Sequence, residues 1–296
     1  MTGERLADPA WLERFIHDER LPAGFAAEIE RLHAPLAARI AAVAMGPAFV
    51  VGICGPQGSG KTTTVRVLAA LLEARGLSVA TLSLDDLYLP RTDREALARD
   101  VHPLLRTRGV PGTHDVALGL AVLDGLATAG ETTIPRFDKA VDDRAPAESW
   151  SRGGGPVDVV LFEGWCVGAR PEPAEALRRP VNALEREQDP DGVWRGYVNA
   201  ALAGPYRALF ARVDLLIQFT APDFATVLAW RQEQERKLRE RLEAAGQGDE
   251  GRAMSEAEVA VFVQHYERLT RHIAREMPAR ADLVAPLDAD RRSSNP

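Results

Sequence analysis

Four residues near the start of the chain have the types and spacing needed to hold the phosphates of a nucleotide. Gly55, Gly60, Lys61 and Thr62 fill the pattern G-x-x-x-x-G-K-[ST], between the apolar run AFVVGIC and an Ala/Leu-rich stretch. Small residues let the backbone wrap a phosphate so that its N–H groups point inward. Lys61 is predicted to reach the β- and γ-phosphates and to act in catalysis, and the Thr62 hydroxyl to bind Mg²⁺. The predicted phosphate-binding residues are Gly55, Pro56, Gln57, Gly58, Ser59, Gly60, Lys61, Thr62 and Thr63.

An acidic residue that could serve the same metal follows a second apolar run. Val157 to Phe162 reads as a strand, and Glu163 stands at its carboxyl end. A glutamate at this position either polarises a metal-bound water or holds Mg²⁺ indirectly; the alternative is a surface acid at a strand end. We therefore predict a metal site formed by Thr62 and Glu163. Asp158, at the start of the strand, is predicted to be structural.

Two aspartates end a third strand-like run. Asp85 and Asp86 lie in LSLDDLYLPR, at the edge of the sheet where α/β enzymes bind ligands. A carboxylate there can accept the proton of a substrate hydroxyl as the hydroxyl attacks the γ-phosphate. The alternative is an Asx turn that closes the strand.

The elements that position these residues alternate between strands and helices. AFVVGIC, SVATLSL, VDVVLFE and VDLLIQF read as strands separated by helical segments, which predicts a doubly wound α/β fold with a mainly parallel sheet. Apolar spacing before residue 47 predicts two helices separated by the turn LPAG. We expect one domain with a helical extension over residues 1–46, a core over 47–286 and a loose tail over 287–296. The stretch GQGDEGR after residue 245 is predicted to be a surface loop.

Composition narrows the class of protein. The 296 residues are 46% hydrophobic and 27% charged, as in ordinary globular proteins, with a net charge of −7 that disfavours nucleic-acid binding. The apolar runs are strand-sized and no secretory signal is visible, so we expect a cytoplasmic protein that does not bind membranes. Cys54 and Cys166 do not suggest a disulfide framework. A GTPase is disfavoured because no Asn-Lys-x-Asp segment is present.

Several blocks together resemble one family of phosphate-transferring enzymes. They are GPQGSGKTT, LSLDDLYL, RGVPGTHD, PRFDKAVDDR, FEGWCVG and WRQEQE, in that order between Phe49 and about Ala285. The chain resembles the D-glycerate 3-kinases of plants and fungi, in the P-loop kinase group with uridine kinase, phosphoribulokinase and pantothenate kinase. Each block except GPQGSGKTT, the phosphate-binding loop or P-loop, is a weak signal alone. The order of all six is specific.

The resemblance implies roles for individual residues. Asp85 matches the catalytic base of related kinases, with Tyr88 nearby, and Asp86 is the second candidate for that role. Leu87 stands where aromatic residues are common in the family, a departure that concerns packing more than chemistry. The block RGVPGTHD presents His114 and Asp115 at the start of a helix, where Asp115 either caps the helix or contacts substrate.

A glycerate carboxylate would need cations, preferably the planar fork of a guanidinium. The two middle blocks supply them, although each could equally be a solvated surface charge. The predicted substrate-binding residues are Tyr88, Arg108, His114, Asp115, Arg136, Asp138, Lys139 and Arg144, with Arg106 as a further nearby cation. Arg231 belongs either to a lid over the transferring phosphate or to a solvated helix face.

The expected function is that of an ATP- and Mg²⁺-dependent kinase that converts D-glycerate to 3-phosphoglycerate. A kinase of another small acceptor, such as uridine or pantothenate, would use the same loop and the same aspartate. A P-loop regulator that switches a partner without phosphorylating a metabolite is the alternative from a different class.

Overall fold

A computed structural model describes residues 9–293 apart from 20, 23 and 245–252. The predicted loop GQGDEGR lies outside the described residues. The strands are β1 (Phe49–Cys54), β2 (Val79–Ser83), β3 (Gly130–Ile134), β4 (Phe137–Asp138), β5 (Asp143–Arg144), β6 (Ser151–Gly155), β7 (Val159–Gly164), β8 (Leu215–Thr220) and β9 (Leu283–Pro286). The helices are α1 (Pro9–Asp18), α2 (Phe25–Glu28), α3 (Ala34–Val43), α4 (Lys61–Glu73), α5 (Arg91–Asp100), α6 (Val116–Leu126), α7 (Ala183–Gln188), α8 (Val193–Ala203), α9 (Pro205–Phe210), α10 (Phe224–Ala244), α11 (Glu256–Phe262) and α12 (Gln264–Glu276).

The central sheet is parallel and has the strand order β2-β7-β1-β8-β9. Strands β1 and β7 are buried along nearly their whole length, which explains why both read as continuous apolar runs. Because β1 is central, the loop that follows it lies between the carboxyl ends of β7 and β8. All strand ends that carry the predicted chemistry therefore meet at one edge of the sheet.

Helices cover both faces of this sheet, so the predicted α/β class is confirmed. One face packs against α4 and the N-terminal helices through residues such as Val51, Leu68 and Ile40. The other face packs against α6, α9 and α12 through residues such as Phe162 and Leu123. A π-helical turn, Ile29–His33, joins α2 to α3. Within the described ranges, no helix has the length and apolar character needed to cross a bilayer.

The structure adds strands that the sequence analysis missed. Strand β9 forms the edge of the central sheet beside β8, and β3 pairs with β6, and β4 with β5, in two antiparallel hairpins outside it. The last four residues of the predicted core, 283–286, are thus a strand. The β4–β5 hairpin is only two residues long on each side, and its polar residues give no periodic signal.

The prediction of a loose tail from residue 287 is wrong for its described part, 287–293. Leu287 bridges Ser293, and both residues are buried. The Trp230 indole N–H donates to the Ala289 carbonyl at 2.7 Å, and the Ser293 N–H donates to Glu28 at 3.0 Å. These contacts hold the segment against α10 and the N-terminal helices. Residues 294–296 lie outside the described part.

Candidate active site

The glycine-rich loop joins β1 to α4, as its motif predicts. Gly58 and Gly60 have φ angles of 76° and 84°, in the left-handed region that favours glycine. A Cβ on Gly58 would lie 2.6 Å from the Cβ of Trp230, so only glycine fits at that point. The Lys61 ammonium donates to the Pro56 carbonyl at 3.0 Å, within the loop itself. The loop is therefore pre-formed, with its lysine held across it.

Arg291 contacts this loop from the other end of the chain, a contact missed by sequence reasoning. Its guanidinium donates to the Gly58 carbonyl at 2.5 Å, pairs with Glu233 at 2.7 Å and lies over the Trp230 ring at 5.3 Å. Arg291 has a φ of 63°, an unfavourable value for a residue with a side chain. The segment DADRRSSNP carries no pattern from which this contact could be predicted.

The predicted metal ligands lie side by side. The Thr62 hydroxyl is 3.3 Å from a carboxylate oxygen of Glu163, and the Ser83 hydroxyl donates to the same oxygen at 3.0 Å. Burial raises the pKa of Glu163, while the Lys61 charge opposes that rise. In the described part of the chain, no group of three or more Asp, Glu, His or Cys residues could hold a metal without other ligands. Mg²⁺ in kinases takes one or two protein oxygens and completes its shell with phosphate and water, and this pair fits that role.

Asp85 lies at the start of the short 3₁₀ turn Leu84–Leu87 that follows β2. Its two carboxylate oxygens have different partners, the Tyr88 hydroxyl at 2.8 Å and the Lys139 ammonium at 2.6 Å. The Ser83 hydroxyl, which contacts Glu163, also accepts from the Asp85 N–H at 3.3 Å. Asp85 and Glu163 are thus linked through one serine. The predicted base and the predicted metal ligand therefore lie together at the same sheet edge.

The charges around Asp85 keep it ionised. Its partial burial alone would raise the pKa of Asp85, but the Lys139 ammonium and the hydrogen bonds from Lys139 and Tyr88 hold that pKa well below its usual value. The same ion pair raises the pKa of Lys139. Burial lowers the pKa of His114, whose ring stacks on Tyr88 with 4.6 Å between centroids, to about 3. His114 is therefore neutral at physiological pH.

Aromatic residues from distant elements fix the loop RGVPGTHD. A Cβ on Gly109 would lie 2.0 Å from the Tyr266 hydroxyl, and the Trp165 indole N–H donates to the Gly109 carbonyl at 2.8 Å. The Tyr206 hydroxyl accepts from the Gly112 N–H at 3.0 Å and lies 2.5 Å from Nδ1 of His114. These contacts place His114 against Tyr88. The three aromatic side chains were not identified from sequence, because no pattern in the sequence links them to this loop.

Arg108, one predicted acceptor cation, belongs to a separate cluster. It forms an ion pair with Asp142, whose carboxylate and carbonyl also accept from the fully buried Arg94. Arg108 and Arg94 both lie over the Phe137 ring, at 5.5 and 5.7 Å. This cluster anchors the hairpin that carries Lys139. Sequence reasoning overlooked Arg94 and Asp142.

Two other predicted cations also hold aspartates. Arg136 donates to Asp86 at 2.8 Å, and Asp86 accepts from the Phe137 N–H as well, so this aspartate fastens the hairpin rather than facing Glu163. Arg144 donates to Asp115 at 3.1 Å. Asp115 caps α6 by accepting from the Leu118 N–H at 3.0 Å, which agrees with the helix-cap alternative.

The remaining predicted residues, Asp138 and Arg231, have local partners. The Asp138 carboxylate accepts from the Ala140 N–H at 2.8 Å, which is a local turn contact on an exposed residue. Arg231 on α10 pairs with the buried Glu235 and lies over the Phe262 ring at 5.6 Å. Glu235 also accepts from the Met254 N–H at 3.1 Å. The Arg231 pair thus ties α10 to the segment that leads into α11.

Comparison with known proteins identifies related kinases. The chain is 35% identical over 233 residues, 75% of its length, to the protein called uncharacterized kinase mug58 in Schizosaccharomyces pombe, and the match covers 79% of that relative. It is 32% identical over 231 residues, 74% of its length, to the chloroplastic D-glycerate 3-kinase of Arabidopsis thaliana, 46% of which is covered. No protein-family profile matches the chain.

A solved structure extends the likeness to most of the chain. The D-glycerate 3-kinase of Cryptococcus neoformans superposes with a TM-score of 0.71 at 27% identity, covering 88% of this chain and 96% of that one. The match at 35% identity covers most of both chains, so it reflects common descent and is not limited to the phosphate-binding loop. The chain belongs to the family of P-loop kinases that includes the D-glycerate 3-kinases of plants and fungi.

Proposed function

We propose that the protein transfers the γ-phosphate of ATP to the 3-hydroxyl of D-glycerate. The observation that carries the proposal is the Asp85 carboxylate held between the Tyr88 hydroxyl and the Lys139 ammonium, next to Glu163. An ionised carboxylate can take the proton of an attacking hydroxyl, and an ammonium beside it can pair with an acidic acceptor. The names of the plant and fungal relatives supply the identity of the acceptor.

Each residue of the site has a separate role in the proposed reaction. The loop amides and Lys61 hold the β- and γ-phosphates. Thr62 and Glu163 would hold Mg²⁺, which would neutralise charge on the transferring phosphoryl group. Asp85 accepts the hydroxyl proton, and Tyr88 keeps its carboxylate in place. Lys139 leaves Asp85 when the acceptor binds and pairs with the acceptor carboxylate. Because Lys139 is exposed on a two-residue hairpin, this movement requires little rearrangement.

A coupled assay of ADP release tests the proposal. The acceptors are D-glycerate, uridine, pantothenate and ribulose 5-phosphate, and we expect D-glycerate to be preferred by far. Phosphorus NMR of the product is expected to show 3-phosphoglycerate. Preference for uridine or pantothenate would contradict D-glycerate as the acceptor but would still agree with kinase activity. Tight ATP binding without turnover on any acceptor would favour the P-loop regulator instead.

Glu163→Gln tests the metal site. The amide keeps the shape of the side chain but loses the charge that favours Mg²⁺, so we expect the Mg²⁺ concentration for half-maximal activity to rise about tenfold. Glu131→Gln is the matched control, because Glu131 is an exposed glutamate on β3 that pairs with Arg152. An unchanged Mg²⁺ dependence in Glu163→Gln would remove this residue from the metal site.

Lys139→Met tests the role of the ammonium beside Asp85. We expect the KM for D-glycerate to rise about tenfold, because a charge-assisted hydrogen bond to the carboxylate is lost, while the KM for ATP stays nearly constant. Removing Lys139 also removes the main influence that lowers the pKa of Asp85. The pKa of Asp85 then rises, and the acid limb of the pH profile of kcat/KM moves to higher pH.

The matched control for Lys139→Met is Arg152→Met, which removes an exposed cation paired with Glu131 on the separate β3–β6 hairpin. It is expected to change neither KM nor the pH profile. A Lys139→Met enzyme with the wild-type KM for D-glycerate and the wild-type acid limb would show that the acceptor carboxylate is bound elsewhere.

A further inference from the structure

A pocket of about 330 Å³ opens beside the carboxyl end of β8, between the first turn of α10 and the middle of α12. Its apolar walls come from Trp165, Phe224, Val227 and Ile273, and Pro56 of the phosphate-binding loop forms one side. This volume lies at the small end of the range of roughly 300–1,000 Å³ typical of ligand sites. The pocket is large enough for a compact bicyclic molecule.

The pocket is separate from the Asp85 centre. The rings of Trp165 and Tyr266 pack edge to face, with 4.9 Å between their centroids. Trp165 lines the pocket, whereas Tyr266 is fixed to the Gly109 loop on the acceptor side. Among the described residues, the pocket lining includes neither Asp85 nor Lys139 nor Glu163. A molecule in the pocket would therefore not occupy the place of the acceptor.

Gln218 gives the pocket a specific chemical requirement. Its side chain is 1% exposed, and its amide N–H donates to the Ile273 carbonyl at 3.3 Å. That contact fixes which end of the amide carries the oxygen. The oxygen has no hydrogen-bond partner among the described residues, although Gln218 lines the pocket. Buried hydrogen-bond acceptors nearly always have a donor, so we expect a bound molecule to donate a hydrogen bond to this oxygen.

The opening of the pocket is positively charged. Arg271 and Arg275 on α12 are both exposed and line it. Arg271 lies over the Phe224 ring at 5.3 Å and pairs with Glu267, whereas no ion pair of Arg275 is found in the described part of the chain. The lining carboxylate of Asp223 is already used, because it accepts from the Thr226 N–H and hydroxyl at 2.7 and 2.8 Å. Arg275 is thus available for an acidic group.

We propose that this pocket is a second binding site, for a small organic acid with a flat apolar body and one N–H or O–H donor. The apolar body lies against Trp165 and Phe224. The donor meets the buried Gln218 oxygen, and the acidic group meets Arg275 at the opening.

Indole-3-propionate is the probe, because it combines an aromatic body, one N–H donor and a carboxylate. We expect saturable one-to-one binding by calorimetry with a Kd near or below about 1 mM, in the presence of saturating Mg²⁺ and a non-hydrolysable ATP analogue. 3-(1-Naphthyl)propionate lacks the donor, and indole-3-propionamide lacks the charge. Each is expected to bind about fivefold more weakly. Absence of saturable binding, or displacement of the probe by the ATP analogue, overturns the proposal.

Variants locate the probe. Ala274→Phe fills the opening of the pocket and should weaken probe binding at least about tenfold. Ala225→Phe makes the same exchange at an exposed position of α10 outside the pocket and should leave binding unchanged. Gln218→Met should bind indole-3-propionate and 3-(1-naphthyl)propionate equally well, because the acceptor for the indole N–H is gone. Arg275→Gln should bind indole-3-propionate and indole-3-propionamide equally well, because the cation for the carboxylate is gone. Equal binding to the wild type and Ala274→Phe, or retained preferences in the other two variants, refutes the assignment.

Discussion

Asp85→Asn is expected to lower kcat at least about a hundredfold, because general-base assistance contributes about a hundred- to ten-thousandfold. The substitution is nearly isosteric, and an amide oxygen can still accept from the Tyr88 hydroxyl. The amide cannot take the hydroxyl proton and cannot form the ion pair with Lys139. ATP affinity should change by less than about twofold, since no atom of Asp85 belongs to the phosphate-binding loop. Single-turnover kinetics with titrated ATP binding separate the two effects.

The matched control is the neighbouring aspartate. Asp86 faces Arg136 and the Phe137 N–H, so Asp86→Asn should loosen the hairpin that carries Lys139. Its main effect is expected on the KM for the acceptor, with a clearly smaller loss of kcat. Should the two variants exchange behaviours, Asp86 would be the base. Should neither lower kcat, phosphoryl transfer would rest on positioning alone, which a loose transition state permits.

Lys61→Ala is expected to abolish most turnover. The Lys61 ammonium can stabilise charge on the transferring phosphoryl group, and a single contact of this kind is worth about 3 kcal/mol, or roughly a hundredfold in kcat. The Lys61 charge also counteracts the effect of burial on the pKa of Glu163. Without that charge, the pKa of Glu163 should rise further. Steady-state rates over a range of Mg²⁺ concentrations, each measured at several pH values, report both consequences.

Arg66→Ala provides the comparison on the same helix. Arg66 is an exposed cation of α4 whose side chain pairs with Glu19 and lies over the Phe15 ring at 5.0 Å. Its loss should leave kcat within about twofold of the wild-type value. Activity of Lys61→Ala within about threefold of the wild type would exclude Lys61 from the mechanism.

The parts of the site that were predictable from sequence depend on local rules. The phosphate-binding loop needs glycines with left-handed φ at fixed positions, and the structure places Gly58 and Gly60 in that conformation. The buried strands read as continuous apolar runs because both faces of a parallel sheet are covered. Asp85 directly follows β2, and Glu163 lies near the carboxyl end of β7. These two strands are neighbours in the parallel sheet, so the approach of Asp85 and Glu163 at the sheet edge follows from topology.

The parts that were not predictable depend on contacts between distant segments. Arg108, Arg136 and Arg144 were plausible anion ligands by type, but only the folded chain shows that each one holds an aspartate. The same limit applies to β9, which is four residues long and has only two intermediate-burial apolar residues before its buried alanine. The contacts at these positions are made between segments that are distant in the sequence, and such contacts leave no periodic pattern in it.

The contact between Arg291 and Gly58 has a consequence for biosynthesis. The two residues are 233 positions apart, and β9, which precedes Arg291, adds to the far edge of a sheet whose centre is β1. A ribosome therefore releases the phosphate-binding loop long before the residue that braces it. During that interval the loop lacks both its Arg291 contact and the Trp230 ring held by Ala289. Nascent chains stalled before residue 288 should consequently capture ATP less well than the finished protein, even with Lys61, Thr62 and Glu163 already folded.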